Sequence, residues 1–400
     1  MTETKSNKKP LSFNINMQRW WEIDALRGLM LILMTLTHLP TRFSGPFGQP
    51  LGFVSAAEGF VFLSAFMAGY IFTRRADRDG IPAMRRAFLR RALKIYGCHV
   101  AMLAFLFTII AAIGITTNRQ AIKNLIAFYL HEPVTAMWSS LILLYNPPLL
   151  DILPLYVVFM LLSPWILMIG LRLSWAPVLV FSLLLWICAQ FGLEKEIYEA
   201  ISAYGGLKVP FSETGAFDML AWQLIWILGL SMGSRSVSRP IPITKVSGFF
   251  VGAAALIALT GLIWRHVAGQ AAFGADGTLN VLFDKWHLGP LRIVNFLALL
   301  LLTLRFGPLV SRAFRFRFLE VLGAASLPVF CVHLGAVLLA LAAVGDNRGS
   351  TALWLDLALL AGTFCLLYAT AWLFGTNASR PAGVTASSVK QNAVSARAAQ

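Results

Sequence analysis

IDALRGLMLILMTLTHLP, residues 23–40, decides how the rest of the chain is read. Its Leu, Ile and Met run has the length and apolarity of a membrane-crossing helix, yet it carries Asp24 and Arg27 at one end and His38 at the other. A charged side chain in hydrocarbon costs at least about 2.5 kcal/mol, so such residues are kept where they serve a purpose. At 3.6 residues per turn, the eleven residues from Arg27 to His38 advance about three full turns. The two side chains therefore share one face, about 16 Å apart along the axis. Asp24, three residues before Arg27, can pair with it on that face. The alternative reading is anchoring, with Arg27 snorkelling to one interface and His38 marking the other. Three aligned polar groups exceed what anchoring needs.

The whole chain agrees with a membrane setting. Of its 400 residues 58% are hydrophobic and only 13% charged, far from the composition of a soluble domain. Windows of about 20 apolar residues mark candidate spans near 20–39, 53–73, 93–115, 150–170, 176–193, 217–234, 246–268, 289–308, 319–344 and 353–375. The expected fold is thus an all-α polytopic membrane protein of about ten transmembrane helices, with both termini on one side. Most of the 33 Lys and Arg fall in segments on that side, which the positive-inside rule makes cytoplasmic. The net charge of +15 is then mostly topology, and nucleic acid is not an expected partner. No cleavable signal peptide is expected, because HLPTRFSGPFG rather than a small-residue cleavage site follows the first apolar run. Residues 1–18 and 376–400 lack apolar periodicity and are expected to be disordered cytoplasmic extensions. Cys98, Cys188, Cys331 and Cys365 lie in apolar spans as packing residues. They form no paired motif, and His99, His131, His266 and His287 have no metal-ligand spacing, so no metal site is expected.

The second span supplies a partner for His38. FVSAAEGFVFLSAFMAGY places Glu58 five residues in, and the loop before it is short enough to make the first two helices antiparallel neighbours. A carboxylate beside an imidazole fixes its tautomer and raises its basicity, as a general base requires. A buried structural ion pair is the competing reading of Glu58.

Each end of the bundle has its own chemistry. On the cytoplasmic side, RRADRDGIPAMRRAFLRRALKIY stacks Arg86, Arg90 and Lys94 on one helical face, flanked by Arg85 and Arg91. Orientation alone wants several of these cations; their density also suits a phosphate-rich ligand. On the outer side, Asp151, Asp218, Gln223, Asp284, Lys285 and Trp286 fall at the starts of spans, and Arg292 lies just inside one. Carboxylates with aromatic faces suit a carbohydrate, whereas helix capping and an aromatic belt would use the same residues. His333, alone in an apolar span, reads as secondary.

RGLMLILMTLTH and, in chain order, the six segments EIDALRG, AAEGFVFLSAFMAGY, DILPLY, FDMLAWQLIWILG, FDKWHLGPLR and LGAASLPVFCVHL carry a resemblance to a known family. The first resembles the Arg-then-His signature of the integral-membrane acyltransferase type 3 superfamily. Together they resemble the OpgC-type succinyltransferases of osmoregulated periplasmic glucans, over about residues 19–374. One departure is Ser64-Ala65-Phe66, where the family has Ser-Gly-Phe; the added methyl bears on close helix packing. The resemblance implies a bacterial inner-membrane acyltransferase domain over 19–375 that takes acyl-CoA, with no tightly bound cofactor. Succinyl-CoA would dock at Arg85, Arg86, Arg90, Arg91 and Lys94, its succinyl carboxylate held by Arg292 or Lys285. His38 with Glu58 would deprotonate a glucan hydroxyl, and Asp24 and Arg27 would shape the path. An O-acetyltransferase acting on another envelope polysaccharide, or a proton-coupled transporter using the same polar residues as a relay, are the alternatives. The absence of an internal repeat speaks against the transporter.

Overall fold

The computed structural model describes residues 20–238, 246–346 and 352–378. It is helical throughout, with a single isolated bridge between Leu51 and Val54 in place of any strand among the described residues. Twelve helices carry the architecture: α1 Trp21–His38, α2 Ala56–Asp79, α3 Ile81–Thr116, α4 Ile152–Arg172, α5 Trp175–Gln190, α6 Leu193–Gly205, α7 Met219–Ser238, α8 Gly248–Ala268, α9 Pro290–Ala313, α10 Arg317–Ala324, α11 Ser326–Val344 and α12 Leu353–Ala378. Short helical turns fill the connection between α3 and α4.

Seven of these (α2, α3, α4, α8, α9, α11 and α12) are long and apolar enough to cross a membrane, and α5 with α6 makes an eighth if that pair, bent by 76°, is one span. Helices α1 and α7, at two of the ten expected positions, do not meet that standard. Helix α1 has Glu22, Asp24 and Arg27 in its first two turns, and α7 ends in Ser- and Arg-containing turns. Both are nevertheless packed deep in the protein, with Leu31, Trp222 and Trp226 almost wholly inaccessible. The N-terminal extension lies outside the described residues, as does the tail beyond Ala378, where the last helix ends.

Two backbone crossings organise the interior, and both depend on glycine. Helix α7 lies against α2 so closely that a Cβ on Gly233 would sit 1.9 Å from the Phe66 carbonyl oxygen, and one on Gly69 2.2 Å from that of Leu230. Helix α10 crosses α1 in the same way. A Cβ on Gly323 would sit 1.7 Å from the Asp24 carbonyl oxygen, and one on Gly28 2.0 Å from that of Leu319. Small residues at helix crossings let main chains touch, which is how helices associate where lipid removes the hydrophobic drive. The extra methyl of Ala65 fits because Gly229 faces it: a Cβ there would lie 2.9 Å from that of Ala65.

The α1–α10 crossing sets the position of α11, which leaves α10 after one residue. Helices α1 and α11 run in the same direction. Arg27 meets Ser326 near their first turns, and His38 meets His333 further along. The shared face inferred for Arg27 and His38 is thus the face that α1 presents to α11.

Candidate active site

His38 ends α1 and borders a cavity of about 340 Å³. Its walls come from α1 (Met34, Thr37), the start of α2 (Ser55), the loop and first turn of α4 (Asp151) and the loop before α9 (Lys285, Trp286). Phe330 and Leu334 of α11 close one side. Four of the residues singled out in the sequence (His38, Asp151, Lys285 and Trp286) are therefore drawn from three separate segments into one space.

The chemistry of that space is mixed. Lys285 lies over the Trp286 ring, 4.5 Å from its centroid, and 5.8 Å from that of Phe217. Burial lowers the Lys285 pKa, opposed by the carboxylates of Glu58, Asp151 and Asp284. Asp151 is almost fully buried; burial pushes its carboxyl up to about 6, while hydrogen bonding, including that from the Ala216 N–H at 3.2 Å, pulls the other way. Such a group gives up its proton closer to neutrality than an ordinary Asp carboxyl. An aromatic floor, one ammonium and one carboxyl beside an imidazole can hold a polar, partly charged ligand.

His38 has a histidine beside it rather than the expected carboxylate. Its Nδ1 lies 3.3 Å from Nε2 of His333, with the rings stacked at 5.5 Å. On its far side, Nδ1 of His333 is 3.1 Å from the Thr35 hydroxyl. His333, rated secondary from the sequence, is thus in direct contact with the leading residue.

Glu58 is engaged elsewhere, which corrects the expectation that it orients His38. One carboxylate oxygen accepts from the Ser55 backbone N–H at 3.1 Å and from the Ser55 hydroxyl, closing the capping box that starts α2. The other accepts from Arg292 Nε at 2.5 Å. The signal for the first role was in the sequence, since Ser55-Ala-Ala-Glu58 has the spacing of a capping box. The second required two segments more than 230 residues apart to meet.

Arg292 also donates to the Phe283 carbonyl oxygen at 3.2 Å and is not among the residues that line the cavity. Between the two cations considered for the succinyl carboxylate, only Lys285 borders the same space as His38.

The remaining outer residues hold the scaffold. Asp218 accepts from the Ala221 N–H at 2.7 Å and caps α7. Gln223 accepts from the Ser182 hydroxyl at 2.7 Å and donates to the Ser182 and Leu220 carbonyls, tying α7 to α5. Asp284 accepts from both the backbone and ring nitrogens of His287, at 2.7 and 2.8 Å. That pairing raises the His287 pKa and, against the opposing effect of burial, holds the Asp284 carboxyl below its usual range.

At the other end of α1, buried Asp24 lies 3.7 Å from Arg27, whose guanidinium also donates to Ser326. Neither borders the cavity. Along α3, Arg85, Arg86, Arg90 and Lys94 are exposed, whereas Arg91 turns partly inward.

Compared with known proteins, residues 19–379 match the family model described as OpgC protein. Neither the curated proteins nor the solved structures contain a match to the chain.

Proposed function

The chain belongs to the OpgC protein family, and from that premise we propose that it is a membrane O-acyltransferase that moves a succinyl group from succinyl-CoA to hydroxyls of a periplasmic glucan. The observation that carries the reading is the shared cavity of His38, Asp151, Lys285 and Trp286. In this proposal the protein sits in the bacterial inner membrane, with α1 and α7 completing about ten spans and both termini cytoplasmic.

The acyl donor docks at the exposed cations of α3, where guanidinium groups grip phosphates, and Arg91 and Arg27 lead its thioester arm inward. The acceptor sugar enters the cavity and stacks on Trp286. His38 takes the proton of the acceptor hydroxyl as its oxygen attacks the thioester carbonyl. The carbon–sulfur bond breaks, and the thiolate recovers the proton from the imidazolium. Lys285 holds the free carboxylate of the succinyl group. Donor and acceptor thus come from opposite sides of the bilayer, which accounts for polar groups at both ends of one helix.

The test uses inside-out membrane vesicles loaded with periplasmic glucan and given labelled succinyl-CoA or acetyl-CoA outside, beside a His38→Ala preparation. Label entering glucan from succinyl-CoA, and absent in the variant, is the expected result. Label from acetyl-CoA alone would overturn the donor, and label from neither, with folded protein present, would overturn the acceptor.

A further inference from the structure

The hydroxyl of Thr35 has one proton, and the nearer of its two partners is the Leu31 carbonyl. Oγ1 donates to the Leu31 carbonyl, 2.8 Å away on the same helix. Toward Nδ1 of His333, at 3.1 Å, that oxygen is therefore an acceptor. A hydrogen bond there puts a proton on Nδ1 of His333. A neutral imidazole has one N–H, so Nε2 of His333 is then its lone-pair nitrogen. That nitrogen faces Nδ1 of His38 at 3.3 Å, and the hydrogen bond between them requires His38 to supply the proton. With Nδ1 of His38 protonated, the basic lone pair of the ring belongs to Nε2. A backbone carbonyl one turn below Thr35 thus dictates which nitrogen of His38 is basic.

The surroundings hold this chain of contacts still. Thr35 and His333 are both completely buried. Phe330 packs against His333 with ring centroids 5.9 Å apart, and Thr35 and His38 are fixed to each other by being on one helix. Water, which would otherwise let a hydroxyl or imidazole exchange roles, does not reach the two inner members.

We propose that Thr35 and His333 are positioning residues that hold His38 in its Nδ1–H tautomer, making Nε2 the atom that takes the acceptor proton. The catalytic consequence rests on the acyl-transfer reading above, whereas the tautomer is a property of the resting protein. In the transfer step the hydroxyl proton arrives on Nε2 of His38. The imidazolium keeps its Nδ1–H bond to His333, and the proton later leaves from Nε2 to the departing thiolate. No proton passes through His333.

The experiment uses the full chain in lipid nanodiscs with ¹⁵N-labelled histidine, and His38→Gln and His333→Gln spectra to assign the two rings. Wild type is expected to show His38 protonated on Nδ1 and bare on Nε2. Thr35→Val keeps the shape of Thr35 without its hydroxyl and should shift His38 toward the other tautomer, while Thr35→Ser should restore it. In the vesicle assay, Thr35→Val should lower kcat about 10-fold and His333→Phe about 100-fold, below and at the lower end of full general-base effects, as expected of groups that act through the base. KM for donor and acceptor should stay within about 3-fold in both, as expected of a group acting on the chemical step. The His333→Gln amide can donate to Thr35 and accept from His38 but cannot carry a proton, so it should rescue most of the loss.

A wild-type His38 protonated on Nε2, or a spectrum unmoved by Thr35→Val, would overturn the proposal whatever the activity. So would a His333→Gln loss as large as that of His333→Phe, which would mean that a proton does pass through the ring. His38→Ala separates the two levels. If it retains activity, the base reading itself fails. If it is inactive while Thr35→Val and His333→Phe match wild type, only the positioning proposal fails.

Discussion

Glu58 accepts a hydrogen bond from Arg292 at 2.5 Å, and the two side chains are 0% and 3% exposed. The pair joins the first turn of α2 to the third residue of α9 across the interior. Removing one partner of such a pair leaves a buried charge uncompensated, at a cost of about 3–5 kcal/mol. Glu58→Gln and Arg292→Met should each lower the thermal unfolding temperature in detergent substantially. The Glu58→Met/Arg292→Met double variant should recover most of the loss. A single variant as stable as wild type would show that the pair is not a structural clamp.

Lys285 is the cation that shares the cavity with His38. Lys285→Met should raise KM for succinyl-CoA at least about 10-fold, as losing one charge-assisted hydrogen bond would, and leave KM for acetyl-CoA nearly unchanged. Arg292→Met, in whatever protein folds, should not discriminate between the donors. Equal effects of Lys285→Met on both would remove it from donor recognition.

Asp151 gives the fold a pH dependence of predictable sign. Burial raises its pKa from 3.8 to about 6, so the native protein binds the proton more tightly than the unfolded chain. Below about pH 4 both states hold the proton and the contribution vanishes. As pH rises from about 4 to about 6, the unfolded chain ionises while the buried carboxyl keeps its proton, and stability falls by up to about 3 kcal/mol. Asp151→Asn keeps an acceptor for the Ala216 N–H and removes that cost. Its unfolding temperature should gain on wild type between about pH 4 and about pH 6, then stay parallel. A constant difference across that range would contradict the shifted carboxyl.

Gly323→Ala would place a methyl 1.7 Å from the Asp24 carbonyl oxygen, and Gly233→Ala one 1.9 Å from that of Phe66. Main chain cannot give way as a side chain can, so each should cost at least about 1–3 kcal/mol. Gly252→Ala, on α8 with open space around it, is the control. Yield of folded protein by size exclusion in detergent reads the difference, and a normal yield for Gly323→Ala would mean that the α1–α10 crossing can open.

Much of this was legible in the chain itself. Nine of the ten apolar windows each fall on one helix and the window 319–344 falls on two, α10 and α11, because hydropathy over 20 residues is a local property that does not register a one-residue break. The common face of Arg27 and His38 followed from the helical period alone. The capping roles of Asp218 and Glu58 were equally local, though only that of Asp218 was weighed. Partner identity was not local. Glu58 and His38 looked like neighbours because their helices are consecutive, but the rotation of α2 about its axis is set by where Gly69 meets Leu230 of α7. That rotation turns the Glu58 carboxylate toward α9. His333 looked like a lone core histidine because nothing in an apolar span announces which helix lies beside it. It reaches His38 only because Gly28 and Gly323 bring α10 against α1, and α10 leads directly into α11.

The sequence by itself thus determined which segments are helices, which faces are polar and which family the chain resembles, since these depend on residues within a few turns of one another. The tertiary structure alone decided that Arg292 pairs with Glu58, that Lys285 shares a cavity with His38, and that Thr35 and His333 line up behind His38. Those outcomes depend on side chains meeting across helices hundreds of residues apart. Their meeting is governed by steric fit at a few glycine crossings rather than by any pattern along the chain.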